Sequence, residues 1–511
     1  MAETVSAPSN PVRNKSLLTV AIMLATVMQV LDTTIANVAL PHMRASLGAS
    51  SEEINWVLTS YIVASAIATP LTGWLSDRLG RKVLLIGAVV GFTLSSVLCG
   101  LATSIVQMIG FRILQGICGA VLVPLAQSIL LDINPREKIG QAMAIFGAGI
   151  MVGPIVGPTL GGWLTESFNW RSVFIINLPI GMAAGFMLLL FMPSGKRTQR
   201  PFDVFGFSML AIAVACLQLL LDRGQQIDWF AAVEAWLYVG IAVACMWAFI
   251  VHCATAENPF IDLGMFRDRN FSTGLVFIFL IGITSFSALA LLPPMLQSLM
   301  GYPVIETGLV MAPRGVGTML SMILVGRLVS KFDPRLLVSA GIVISAWSLW
   351  IMTGFDITMS QTPIMISGVM QGMGLGLVFV PLSTLAFATT KPQHRVDATS
   401  IFSVVRNVGS GVGISMVTAV LSQMSTVNHA ELAERVTLQS PAIGRLPQSI
   451  TGSPQMLSII DGLVSQQSAM IAYLDDFWMM MVVTLISLPI VFVLRRPQGS
   501  AKVDPAHAVA E

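Results

Sequence analysis

The sequence is poor in charge: only 11% of its 511 residues are Asp, Glu, Lys or Arg, against roughly 25% in a soluble domain. That scarcity, with 55% hydrophobic residues, excludes a water-soluble globular protein and indicates a polytopic membrane protein. Net charge is only +2 and the basic residues are dispersed rather than grouped into a stripe, so no nucleic-acid partner is expected. Cysteine is scarce too. Cys99, Cys118, Cys216, Cys245 and Cys253 sit in or beside apolar runs with no CxxC pair, which indicates neither a disulfide framework nor a zinc site. His42, His252, His394, His429 and His507 are scattered over loops and tails and form no constellation for metal or hydrolytic chemistry. No GxxxxGK[ST] loop is present to hold ATP. An enzyme is therefore disfavoured, and no metal or organic cofactor is expected.

What the chain has instead is apolar runs long enough to cross a bilayer, about 20 residues each. They fall near 17–40, 53–75, 83–102, 104–131, 140–163, 172–192, 205–221, 232–252, 271–291, 304–325, 336–354, 361–388, 401–421 and 475–494, fourteen spans in all. Arg13 and Lys15 before the first run imitate a signal peptide, but the run is too long and too many similar segments follow. An even count puts both termini on one side. Arg13, Lys15, the loop with Arg78, Arg81 and Lys82, and every second connection as far as Arg495, Arg496 and Lys502 hold most of the basic residues. The alternate connections hold only Arg44, Arg171, Arg223, Arg435 and Arg445. By the positive-inside rule both termini are cytoplasmic, in a multi-pass protein of the inner (plasma) membrane.

The chain repeats itself 256 residues on: Ile145-Phe146 returns as Ile401-Phe402, Val152-Gly153 as Val408-Gly409 and Gly157 as Gly413. QGICGAVLVPL from Gln115 returns as QGMGLGLVFVPL from Gln371, and GWLSDRLGRKVLL from Gly73 as GRLVSKFDPRLLV from Gly326. The fold class that follows is an all-α polytopic membrane protein of two homologous six-helix bundles plus two inserted helices. The expected organisation is a tail at 1–16, a bundle at 17–192, a linker with two inserted spans at 193–270, a second bundle at 271–494 carrying an extracytoplasmic loop at 422–474, and a tail at 495–511. Parallel repeats of this kind mark transporters, with the substrate site between the halves. The loop at 422–474 reads as a passive loop, a cap or a docking surface.

Residues 147–162, GAGIMVGPIVGPTLGG, place Gly149, Gly153, Gly157 and Gly161 on one helical stripe, with Pro154 and Pro158 beside it and Gly162 at its end. Such a composition would ruin a helix in water but is tolerated in a bilayer, where small residues admit a close neighbour. A bendable contact between the two halves is the expected role. The repeat mate, VRNVGSGVG, puts Arg406 and Asn407 where the first half has Ile150 and Met151.

Ionisable groups inside the spans are the sharpest functional signal, since a buried charge is costly unless paired. Asp32 and Arg112 each lie about eight residues from the outer end of their spans, roughly 12 Å deep, so they are placed to pair. Either the pair is static or it is the proton-coupling site, Asp32 gaining and losing a proton beside Arg112. Arg314 lies near mid-depth of the tenth span with no evident partner. In the loop SDRLGRK, topology accounts for Arg78, Arg81 and Lys82 but not for Asp77 or the bracketing Gly73 and Gly80. Asp77 is suited to a gate that caps or pairs with a neighbouring helix end in one conformation. Gln29, Gln115 and Met151 are candidate cavity residues by their place on spans one, four and five, with Arg314 and Arg406 from the second half.

At these residues the sequence resembles the major facilitator superfamily, and within it the fourteen-helix drug:proton antiporters of the EmrB/QacA type. The likeness covers about 17–495. It rests on LDTTIANVALP from Leu31, GWLSDRLGRKVLL from Gly73, FRILQGICGA around Arg112, GIMVGPIVGPTLGG, NWRSVFIINLPIG from Asn169, and the EmrB-like LDRGQQIDWF and NPFIDLGMFRDRNF. The resemblance implies proton-driven export of small hydrophobic, often cationic or amphipathic drugs, with protons as the coupling ion and with a periplasmic adaptor and outer-membrane channel as partners. The second half departs from it at Ser330, which stands where Asp77 stands in the first. The alternatives are a carrier of the same fold for another solute, whether an uptake symporter or a metabolite or siderophore exporter, and a receptor or scaffold that transports nothing.

Overall fold

The computed structural model describes residues 14–494 apart from 51, 136–137, 195–196, 199, 330 and 436–453. Arg13, Ser330, Arg445 and the tail at 495–511 lie outside the described residues. The described chain is all-α, with fourteen helical spans apolar enough to cross a membrane. In order they are Lys15–Leu47, Trp56–Leu79, Arg81–Leu101, Ile105–Ile133, Ile139–Ser167, Ser172–Phe191, Val204–Arg223, Val233–Thr255, Arg269–Leu299, Val304–Leu328, Pro334–Met352, Gln361–Ala388, Pro392–Arg435 and Leu457–Val493, spans 1 to 14. Helix is the form that satisfies backbone polar groups without water, so the apolar runs have no alternative.

Proline sets the irregularities. Pro70 lies in a 3-10 turn, Thr69–Leu71, that breaks span 2. Span 5 breaks at Met151, between helices Ile139–Ile150 and Val152–Ser167; Pro154 has no N–H to give to the Ile150 carbonyl, and its ring crowds that carbonyl. After Pro293 and Pro294, span 9 ends in a π-turn, Met295–Leu299.

The glycine stripe does not lie between the halves, as the sequence pattern suggests. It packs against span 1 of its own half: the Cα hydrogens of Gly149, Gly153, Gly157 and Gly161 face Met23, Val30, Thr34 and Ile35. The reason is complementarity of faces. Span 1 approaches so closely that Thr34 hydrogen-bonds to the Gly153 carbonyl at 3.2 Å. A different face of span 5 meets the other half, where Ile155 and Thr159 fit over Gly315 and Gly308 of span 10. The repeat reproduces the in-half contact, with Gly409 and Gly413 of span 13 against the Phe279 and Ile283 backbone of span 9.

The stretch at 422–474 is also not a loop over its described length. The helix of span 13 runs Arg395–Arg435, 41 residues, and the last helix starts at Pro454 and runs to Ile486. A 41-residue helix is about 60 Å long, twice the roughly 30 Å hydrocarbon core, so it continues well past the membrane. Span 7 packs on span 2 of the first half and span 13 of the second, whereas span 8 packs chiefly on span 7. Span 8 is correspondingly open to lipid, with Trp247 70% exposed.

Glycine positions on one stripe are expected to differ sharply. A Cβ on Gly153 would come 3.0 Å from the Val30 carbonyl carbon, while one on Gly162 would meet nothing nearer than 3.9 Å. Gly153→Ala should cost about 1–3 kcal/mol and Gly162→Ala should be neutral or mildly stabilising, as read by thermal unfolding in detergent.

Candidate functional site

Asp32 of span 1 and Arg112 of span 4 meet, Nη1 donating to Oδ2 at 2.7 Å, with both side chains 1% exposed. Two full charges are out of water here, and bare burial would cost several kcal/mol per ion. The surroundings offset much of that cost, although Arg112 Nε is buried without a hydrogen-bond partner among the described residues. Gln115 Nε2 donates to Asp32 Oδ1 at 2.9 Å and Asn177 Nδ2 to the same oxygen at 2.6 Å, while Gln115 Oε1 accepts from Arg112 at 2.8 Å. Ser96 holds Asn177 in turn, accepting at 2.9 Å and donating to the Phe174 carbonyl. The guanidinium sits over the rings of Tyr61 and Phe174, 5.3 and 4.8 Å to the centroids, a favourable place for a desolvated cation. Sequence reasoning missed Asn177, Ser96, Tyr61 and Phe174; Asn177 was legible as a lone amide in the apolar run FIINLPIG, the others were not.

Beside this pair lies a cavity of about 600 Å³ between the halves. Of the candidate residues, Gln29, Met151 and Arg406 line it. Gln115 and Arg314 do not, which corrects their assignment. Gln115 is fully buried on the ion pair, and Arg314 is buried within the second half, donating to the Ser285 carbonyl at 2.8 Å. Tyr61 is the partition between the two sites: it lines the cavity, accepts from Gln29 at 3.3 Å and carries the Arg112 guanidinium on its ring. Arg406 faces the cavity from span 13 with no ion pair among the described residues.

The cavity reaches one end of the bundle, where the exposed Gln225 and Gln226 form part of its lining. The other end, at the Gly80 loop, is closed by charges. Asp132 at the foot of span 4 pairs with Arg81 and also with Arg395 of the second half. Arg200 pairs with Asp397 at 3.2 Å and donates to the carbonyls of Pro259 and Phe260. Asp397 occupies the space where a Cβ on Gly73 would be, so glycine is required for this approach of spans 2 and 13. Gly80 turns the chain at φ 84°, a conformation that favours glycine.

The other loop residues divide. Asp77 has no direct ion pair among the described residues, and lies within electrostatic reach of Arg200, Arg81, His394 and Asp397. Arg78 stacks on Trp74 at 5.2 Å and Lys82 donates to the Leu189 carbonyl. The ion pair that crosses the halves is thus Asp132 with Arg395, and Arg200 of the linker ties to Asp397 of the second half; the sequence pattern did not single these out because they lie at the polar edges of spans or in the linker.

The Major Facilitator Superfamily model matches residues 22–414. The chain is 34% identical over 496 residues to the multidrug export protein EmrB of Escherichia coli (strain K12), covering 95% of this chain and 96% of that protein. It is 34% identical over 486 residues to the fatty acid resistance protein FarB of Neisseria gonorrhoeae, covering 94% and 96%. Among solved structures, the human organic anion transporter MFSD10 (TETRAN) matches with a TM-score of 0.61 at 13% identity, over 92% of this chain and 99% of that one. The proton:xylose symporter XylE matches at 0.60 and 13%, over 93% and 95%. These two show the shared fold.

Removing one partner of the buried pair should cost far more than removing both. Arg112→Met is expected to destabilise by about 3–5 kcal/mol, and Asp32→Asn added to it should recover most of the loss in thermal unfolding. A double variant no more stable than the single one would show that the two charges are not coupled.

Proposed function

This chain belongs to the major facilitator superfamily, in the branch of the EmrB multidrug export proteins, and we propose that it expels hydrophobic and amphipathic toxic compounds across the inner membrane, driven by protons moving inward. The observation that carries the reading is the buried Asp32–Arg112 pair separated from the drug-sized cavity by one side chain, Tyr61. The relatives' names, a multidrug exporter and a fatty acid resistance protein, support export of apolar compounds. The cavity's walls are mainly apolar, and Arg406 offers an unpaired cation to an acidic head group.

A proton added to Asp32 removes the charge that holds Arg112, leaving a buried guanidinium with weaker compensation. The arrangement drawn around the ion pair is then disfavoured relative to one that solvates Arg112 differently. Coupling follows because proton and drug bind the two facings with different affinity. Span 5 is the mechanical link: one face lies against span 1 at Val30 to Ile35, around Asp32, and another against span 10 of the opposite half. In this reading the Gly80 loop and both termini face the cytoplasm, where basic residues concentrate, and the cavity is open outward with the Asp132 and Asp397 clusters shut. The helical extensions of spans 13 and 14 project on the outer side, where a periplasmic adaptor leading to an outer-membrane channel would dock.

Cells making the protein are expected to accumulate less of a fluorescent lipophilic dye than cells without it, with an uncoupler abolishing the difference. Asp32→Asn should abolish it as well while the protein remains in the membrane. Proton-driven uptake, or unaltered export by Asp32→Asn, would overturn the reading.

A further inference from the structure

The two inserted spans belong to neither six-helix half, yet they are not equivalent. Span 8 rests on span 7 and faces lipid, whereas span 7 is wedged against spans 2 and 13 and presents Gln218, Leu221 and Asp222 to the cavity, joined by Gln225 and Gln226 of the turn that follows. Its last turn touches both halves at adjacent residues. Thr59 of the first half donates to Asp222 Oδ2, and Ser415 of the second donates to the Leu221 carbonyl.

Asp222 is open to the cavity, and its one hydrogen-bond partner among the described residues is that neutral hydroxyl. The neighbouring Arg223 does not compensate it by an ion pair: its guanidinium pairs with Glu234 of span 8 at 2.7 Å and lies over Trp56 at 5.5 Å. Among the described lining residues, Asp222 and Arg406 are the two that carry a full charge, and neither is in an ion pair. A carboxylate held by a neutral donor exchanges that donor readily for a cation, because a charge-assisted bond is about twice as strong as a neutral one.

We propose that the inserted span 7 supplies the cavity's cation-selecting group, Asp222, which takes the positively charged head of an amphipathic ligand whose apolar body lies against the cavity walls. The insertion is then part of the binding chamber, and it adds to the cavity a charge opposite to that of Arg406. This rests on the reading of the cavity as a drug-binding chamber.

The test is binding of tetraphenylphosphonium and tetraphenylborate, ions of similar size and apolar surface and of opposite charge, to the purified full-length protein in detergent. Asp222→Asn is expected to weaken tetraphenylphosphonium binding by about tenfold with tetraphenylborate unchanged or tighter, and Asp222→Glu to restore the cation. Equal loss of both ions, no loss of either, or wild-type protein that binds neither would overturn the assignment. Should Asp222→Asn fail to fold, Thr59→Val decides, since it frees the carboxylate: tighter cation binding supports the proposal, and unchanged or weaker binding overturns it. The dye-accumulation assay settles separately whether the protein exports anything, so loss of export and loss of this selectivity are read independently.

Discussion

Everything in the first half is arranged around two charges that the membrane makes expensive. Arg112 and Asp32 are each 1% exposed, and a buried pair becomes tolerable as its remaining donors and acceptors are met; here all but Arg112 Nε of the buried ones find a partner among the described residues. Gln115 serves both members, Asn177 serves the carboxylate, Ser96 fixes Asn177, and two aromatic faces take the guanidinium. These groups come from spans 1, 2, 3, 4 and 6, so the pair ties most of the half-bundle to the charge on a single carboxyl group. In the function proposed above, that dependence is what lets the bundle exchange one arrangement for another.

Span 5 carries the consequence outward. Its glycines let span 1 approach to backbone contact beside Asp32, and its other face seats Ile155 and Thr159 on the glycines of span 10. A shift of span 1 is therefore felt at the boundary between the halves without passing through a loop. At the Gly80 end, the boundary is held by charges at Asp132 and Asp397. These groups are partly buried, Asp397 with a side chain 13% exposed and Arg395 14%, so each contact is made only when the two surfaces meet closely. Continuous apolar packing along span 5 and discrete ionic contacts at the end suit a rocking motion between the halves.

The fold was largely legible in the sequence because hydrophobic length, repeat spacing and motif order all report the same architecture. Asp32 and Arg112 were legible for a related reason: a charge in an apolar run has few explanations. What escaped was whatever depends on which helix face meets which. The stripe at Gly149 to Gly161 signalled close packing correctly, but periodicity does not name the neighbour, and the neighbour is span 1 rather than the second half. Gln115 looked like a cavity residue by its place on span 4, but three residues after Arg112 it shares that residue's helix face and turns onto the ion pair. Asp476, at the edge of the last apolar run, is fully buried with neither carboxyl oxygen hydrogen-bonded among the described residues; it escaped because the helix starts at Pro454, which puts the residue well inside the helix rather than at its end.

The central claim is that the charge on Asp32 holds the bundle open at the end remote from Gly80. Spin-label distances test it most directly, one pair joining the ends of spans 2 and 13 remote from Gly80 and another joining the Gly80 loop to the start of span 13. With Asp32→Asn standing in for the protonated carboxyl, the remote distance is expected to shorten and the Gly80-side distance to lengthen. Distance distributions identical to those of the wild type in both pairs would contradict the account.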